Sequence, residues 1–179
     1  MTSPEPQAKN LADLYDLAPL DWADVRRTLE THLTQAPDTG GPGHHTFWLS
    51  TIDADGRPHM TAVGAFWVDG RFYFCGGPRS RKIRNIERDP RCAFGVAIHG
   101  YDVALEGRAV RVTDDALLQR LAEVFAEGGW APTVADGGFT HEYSAPSAGP
   151  PPWYVYEFVP EDAFVVATKD PRGATRWTF

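Results

Sequence analysis

The stretch of this chain best equipped for chemistry is Ser80-Arg81-Lys82. It follows a short apolar and aromatic run, Phe72-Tyr73-Phe74-Cys75, and a break at Gly76-Gly77-Pro78. Ser80 stands where a helix N-cap belongs, Ile83 and Ile86 fall on one helical face, and Pro90 ends the run. Arg79, Arg81, Lys82, Arg84, Arg88 and Arg91 crowd the segment, although the protein carries a net charge of −7. A loop that opens a helix offers free backbone N–H groups and the positive end of the helix dipole. With a hydroxyl, guanidinium groups and an ammonium added, such a start suits a phosphate. A solvated basic helix face has the same composition, and the residues alone leave both readings open.

Other reactive residue types form weaker constellations. His44-His45 stand at a strand entrance, where neighbours point to opposite faces, so no metal site is expected. Cys75 and Cys92 have no metal spacing with any histidine and make no disulfide framework, which fits a reduced, cytoplasmic protein. There is no nucleophile elbow with a Ser-His-Asp set and no HExxH, so nothing supports a hydrolase. Glu106 and Arg108 share one face of an alternating strand, close enough to pair with each other, and a structural or dimer-interface role is expected of them. Arg57, after an Asp-Gly turn, is expected on the surface. Trp48, Trp67, Trp130, Trp153 and Trp177 read as core or interface aromatics, with Trp130 and Trp153 placed to wall a pocket.

The elements that must hold these groups can be read from composition and periodicity. The 179 residues, 42% hydrophobic and 12% aromatic, are enough to bury a sizeable core in one domain. An acidic chain with pI near 5.3 is not expected to bind nucleic acid. No apolar run approaches the ~20 residues that span a bilayer, and the polar N-terminus has no signal-peptide core, so no membrane partner is expected.

In chain order, residues 1–20 read as a poorly ordered arm and 21–179 as the single domain. Asp21 caps a helix carrying Trp22, Val25, Leu29 and Leu33 that runs until Pro37, and a flexible Gly-rich connector, 38–43, follows. Strands are expected at 46–52, 58–68 and 71–75, the last two joined by an Asp69-Gly70 hairpin turn. Two more follow at 92–98 and 101–112. Thr113 or Asp114 then caps a helix with Leu117, Leu118, Leu121, Val124 and Phe125 on one stripe. A long loop at 128–152 and strands at 153–159 and 163–168 complete the chain. Antiparallel hairpins with helices in the connections indicate an α+β protein, mainly antiparallel β, built on a small barrel.

Three stretches, taken together, resemble the pyridoxamine 5′-phosphate oxidase-like, FMN-binding split-barrel family. They are FWLSTIDADGRPHMTAVGAFWVDGRFYFCGGPRSRKIRNIERDPRCAFGV, then VALEGRAVRV, then the terminal ATRWTF. The order of the parts carries the likeness: Leu-Ser-Thr, Asp-Gly-Arg-Pro-His, Ser-Arg-Lys before a helix that ends in Asp-Pro-Arg, then Glu-Gly-Arg-Ala. The resemblance implies a homodimeric split β-barrel with FMN, or the deazaflavin coenzyme F420, in clefts between subunits. Ser80, Arg81 and Lys82 match the cofactor-phosphate contacts. His59, Thr61 and Val63 fall on the strand whose backbone lies along the ring. Cys75 and Gly76 end the next strand, near the ribityl chain. Arg176 and Trp177 fall where the family brings C-terminal residues towards the partner's cofactor.

No basic substrate-phosphate site or longer C-terminal section of the pyridoxamine phosphate oxidases is found, so another small organic substrate is expected. The implied activity is hydride transfer to or from that substrate, and no catalytic side chain is identified. A non-catalytic carrier of flavin, haem or another tetrapyrrole on the same barrel is the alternative.

Overall fold

The computed structural model describes residues 6–31, 33, 45–142 and 149–179. One antiparallel sheet organises them. Strands β1 (Gln7–Asn10), β2 (Phe47–Ile52), β3 (Pro58–Val63), β4 (Ala65–Val68), β5 (Arg71–Gly76), β6 (Arg91–Ile98) and β7 (Tyr101–Arg111) precede a hairpin, β8 (Thr133–Ala135) and β9 (Gly138–Thr140). Then come β10 (Tyr154–Ala167) and β11 (Ala174–Thr178). The helices are α1 (Trp22–Thr31), α2 (Arg81–Arg88) and α3 (Asp115–Glu127). The main path runs β1-β11-β10-β7-β6-β2-β3, with β5 and then β4 branching from β10. The sheet curls without closing, which makes this an α+β split barrel.

Strand β10 is the spine. Its first half, from Tyr154 to Phe158, lies between β5 and β7, while Asp162 to Val166 exchange β5 for β11. The register shifts between Pro160 and Asp162, a bulge that bends the strand from one half-barrel into the other. Two strands at 153–159 and 163–168 are therefore corrected to one. Pro160 cannot donate to a ladder, and the bulge absorbs it without ending the strand. Gly107 of β7 makes this bend possible, because a Cβ there would stand 2.1 Å from the Val159 carbonyl oxygen.

The expected strand at 58–68 is in turn divided. Gly64 separates β3, which pairs with β2, from β4, which pairs with β5. The poorly ordered arm expected over 1–20 is corrected where residues are described, since Gln7–Asn10 pair with β11. Backbone pairing holds this polar segment, and polarity alone misread it. The loop expected over 128–152 contains the β8–β9 hairpin, turned by Asp136-Gly137, both at positive φ. The connector at 38–43 and His44 lie outside the described residues.

Two apolar clusters fill the halves. One joins Phe47, Leu49, Phe72, Phe74, Phe94, Tyr156 and Phe158 to Val25 and Leu29 of α1 and Ile83 and Ile86 of α2. The other packs Leu118, Leu121 and Phe125 of α3 against Phe139, Trp153 and Val155, with Trp130 at its edge. Asp114 caps α3, its Oδ1 accepting from the Leu117 N–H at 2.7 Å. Arg108 meets Glu161 across the ladder at 3.5 Å rather than Glu106 on its own strand. Among the described residues no helix is long and apolar enough to cross a membrane.

Candidate functional site

The site begins where β5 stops. Gly76 has no side chain because α2 needs the space: a Cβ there would lie 2.8 Å from Ile83 Cγ1 and 3.2 Å from Lys82 Cε. Ser80 is the N-cap residue in extended conformation, yet its Oγ donates to the Gly77 carbonyl at 2.8 Å and caps no helix N–H. The first turn of α2 is thus left without a side-chain acceptor, and its dipole points into the Gly76–Ser80 loop.

Burial on α2 extends beyond the two isoleucines. Lys82 is only 9% exposed and Asn85 4%. Asn85 Nδ2 donates to Thr51 Oγ1 at 3.0 Å and to Asp53 Oδ1 at 2.9 Å. Arg81 Nε donates to the same Asp53 oxygen at 2.9 Å, and its Nη2 bonds the other oxygen. Arg88 reaches the Ile52 carbonyl. The end of β2 and the turn after it thereby fix the rotation of α2 and the direction of Arg81. Hydrogen bonds from Arg81 and then from Asn85 hold the Asp53 carboxyl far below the ordinary carboxylate range. Asp53, Thr51 and Asn85 were not singled out from sequence. The available signal was the spacing of Arg81, Asn85 and Arg88 along one face of a helix.

Lys82 differs from its neighbour. Among the described residues it has no hydrogen bond and no counter-ion, and burial pushes its ammonium below the ordinary lysine value. A buried cation without a partner is costly and calls for an anion.

The remaining expected site residues fall into three groups. His59, Thr61 and Val63 lie half-buried on β3, facing Thr51, Leu49 and Phe47 of β2. β3 ends the sheet path, so its outer edge has backbone groups that no described strand takes. Cys75 is half-buried beside Gly76, and burial pushes its thiol up to about 12, as it does for Cys92. Neither is a thiolate nucleophile at neutral pH. Among the described residues no three His, Cys, Asp or Glu side chains gather as metal ligands.

The C-terminal pair lies apart from these residues within one chain. Trp177 is 2% exposed, packed in the core against Trp22 of α1 with ring centroids 5.3 Å apart. Arg176 is held by Asp162 at 2.8 Å. Trp177 pairs with Ala163, whereas Gly76 pairs with Tyr154. Those β10 positions are roughly 30 Å apart along the strand at about 3.3 Å per residue. Within one chain the tail therefore closes its own half-barrel and does not border the α2 site.

A family model described as pyridoxamine 5′-phosphate oxidase matches residues 33–133, more than half of the chain. The chain belongs to that family. Solved structures at low identity share the split-barrel fold. A conserved hypothetical protein of Mycobacterium tuberculosis is 19% identical, with 91% of this chain and 87% of that one covered and a TM-score of 0.54. A putative pyridoxamine 5′-phosphate oxidase of Listeria innocua is 16% identical over 80% and 95%, also at 0.54. A heme binding protein of Mycobacterium smegmatis is 17% identical over 88% and 59%, at 0.57. Comparison with curated proteins finds no match.

Proposed function

We propose that this pyridoxamine 5′-phosphate oxidase family member is a flavin- or deazaflavin-dependent oxidoreductase. It holds FMN, or alternatively coenzyme F420, between two copies of the chain and serves a small organic substrate. The observation that carries the reading is Lys82, nine-tenths buried at the start of α2 without a counter-ion. The residues present fit a phosphate. Lys82 supplies the charge, the uncapped N–H groups of the first turn supply donors, and Asp53 aims Arg81 at the same helix end. The unpaired edge of β3, at His59, Thr61 and Val63, offers backbone donors and acceptors to a flat polar ring.

A cofactor of this class, when bound, supplies the hydride chemistry. The chain binds the phosphate, orients the ring and keeps water out, and no side chain need act as a general acid. The split barrel is read as one domain over residues 21–179, joined by the N-terminal strand. Cys75 and Cys92, both free thiols, suit the cytoplasm.

The absorbance spectrum and mass of the small molecule carried by freshly purified protein test the reading. A flavin or deazaflavin spectrum, bleached by a pyridine nucleotide or a reduced deazaflavin, is expected. Failure to bind either cofactor on titration would overturn it. An intense Soret band would favour the carrier reading, to which the fold shared with a heme binding protein lends support.

A further inference from the structure

Arg111 closes β7 opposite Tyr156 of β10, and its Cζ stands 3.3 Å from the centroid of the Tyr154 ring. The guanidinium lies on the aromatic face, half-buried. Its Nε is sealed from solvent without an acceptor, and no carboxylate among the described residues pairs with the group. Glu87 accepts the Tyr156 hydroxyl at 2.5 Å and leaves Arg111 unpaired. Buried donors are almost always satisfied; of the three exceptions among the described residues, the others being Trp67 Nε1 and Trp130 Nε1, this is the one that belongs to a charged group.

Tyr154 links Arg111 to Lys82. It faces Gly76 across the β5–β10 ladder, and the Cβ position of Gly76 lies 3.2 Å from Lys82 Cε. Residues paired across an antiparallel ladder share a face. Tyr154 therefore lies on the face that carries both cations, and among the described residues neither has a counter-ion. The β8–β9 turn walls the far side. The Cβ position of Gly137 is 3.9 Å from Arg111 Nη2, and that of Gly138 is 3.1 Å from Tyr154 Cδ1.

We propose that Arg111 is a second anion-binding group of this site, taking a carboxylate with its planar fork while Lys82 and the start of α2 take a phosphate. A guanidinium laid flat on an aromatic ring has its donors fixed in one plane, which suits a carboxylate. The proposal rests on the cofactor reading for the other end of the site, and it names the substrate class as an organic acid. The same chemistry would also recognise an acidic tail on a deazaflavin cofactor.

Calorimetric titration of the full chain separates the cases, using wild type, Arg111→Gln, Arg111→Lys and Lys82→Ala. The probes are benzoate, FMN, and the deazaflavin cofactor with and without its glutamate tail. Benzoate affinity is expected to fall about ten-fold or more in Arg111→Gln and Arg111→Lys, since lysine is a point charge without the fork, while FMN affinity stays within about two-fold. A loss confined to the tailed cofactor assigns the carboxylate to the cofactor. A loss confined to benzoate assigns it to the substrate. Wild type that binds neither carboxylate probe, or an Arg111 variant that binds both as wild type does, overturns the proposal. If Arg111→Gln does not fold, Arg111→Lys decides by the same criteria. Protein that binds benzoate through Arg111 but no cofactor refutes the cofactor reading alone. Lys82-dependent FMN binding with benzoate and the glutamate tail both bound independently of Arg111 refutes this inference alone.

Discussion

At the scale of single residues, a buried ammonium with no partner among the described residues carries the proposed site. Lys82 and Arg81 adjoin in sequence, yet only Lys82 lacks a counter-ion; Arg81 is half-exposed and already held by Asp53. Lys82→Ala is expected to weaken FMN binding by about 1.5–3 kcal/mol, the worth of a charge-assisted hydrogen bond, and Arg81→Ala by less. Riboflavin, which lacks the phosphate, should bind both variants as it binds wild type; titration of the stripped protein with each checks this. The pH dependence has a definite sign. Burial lowers the Lys82 value from 10.5, so the ligand-free group loses its proton at a lower pH than an ordinary lysine. A phosphate needs that proton. FMN affinity, measured against riboflavin as the ring control, should therefore be flat near neutrality and decline as pH rises through the lowered value. Between that value and 10.5 the unfolded chain binds the extra proton, so Lys82 makes the ligand-free fold gain stability as pH rises. Lys82→Met should remove both trends.

At the scale of elements, the helix starts and two-residue turns were legible because they are local. Asp114 before an apolar stripe and Asp69-Gly70 between strands each occur as read. Asp136-Gly137 carried the same signal between Val134 and Phe139, but the Gly/Pro/Ala-rich surroundings hid it. What sequence did not disclose depends on distant partners: the passage of β10 through its bulge, and the burial of Lys82 and Asn85 on a helix whose composition reads as exposed. Gly107 shows the cost of such partners. Gly107→Ala would drive a methyl against the Val159 carbonyl, and overpacking of this kind costs about 1–3 kcal/mol. The melting temperature should fall by about 2–4 °C per kcal/mol. The tail is tested the same way. Trp177 fills the core between α1 and the sheet, so Trp177→Ala should cost about 3–5 kcal/mol in stability, read by denaturant unfolding. FMN affinity of the folded fraction should not change. A variant that folds as well as wild type but loses FMN would return Trp177 to the cofactor site.

For the whole molecule, the outer face of β2, β6, β7 and β10 exposes large apolar side chains. Trp48 is 48% exposed and Val166 51%, and with Ala97, Ala104 and Phe164 they line an open groove of about 580 Å³. Large apolar side chains gathered along one exposed groove suit a contact with another molecule. A second copy of the chain is the proposed occupant, because the same sheet continues through β2 to β3, whose unpaired edge belongs to the proposed cofactor site. A two-fold contact places each residue of the face twice in one interface. Val166→Lys exchanges a half-exposed side chain and should cost the isolated fold little. In the dimer it would bury two ammonium groups, each with only its cross-strand neighbour Asp102 as a partner, against a desolvation penalty of several kcal/mol per ion. Light scattering across a dilution series should therefore show wild type as a dimer and Val166→Lys as a monomer. FMN affinity should fall in the variant although Val166 is far in sequence from Lys82, since the cleft would then lack its second wall. Wild type that stays monomeric at every concentration while holding FMN tightly would remove the partner from the site and leave the groove to some other ligand.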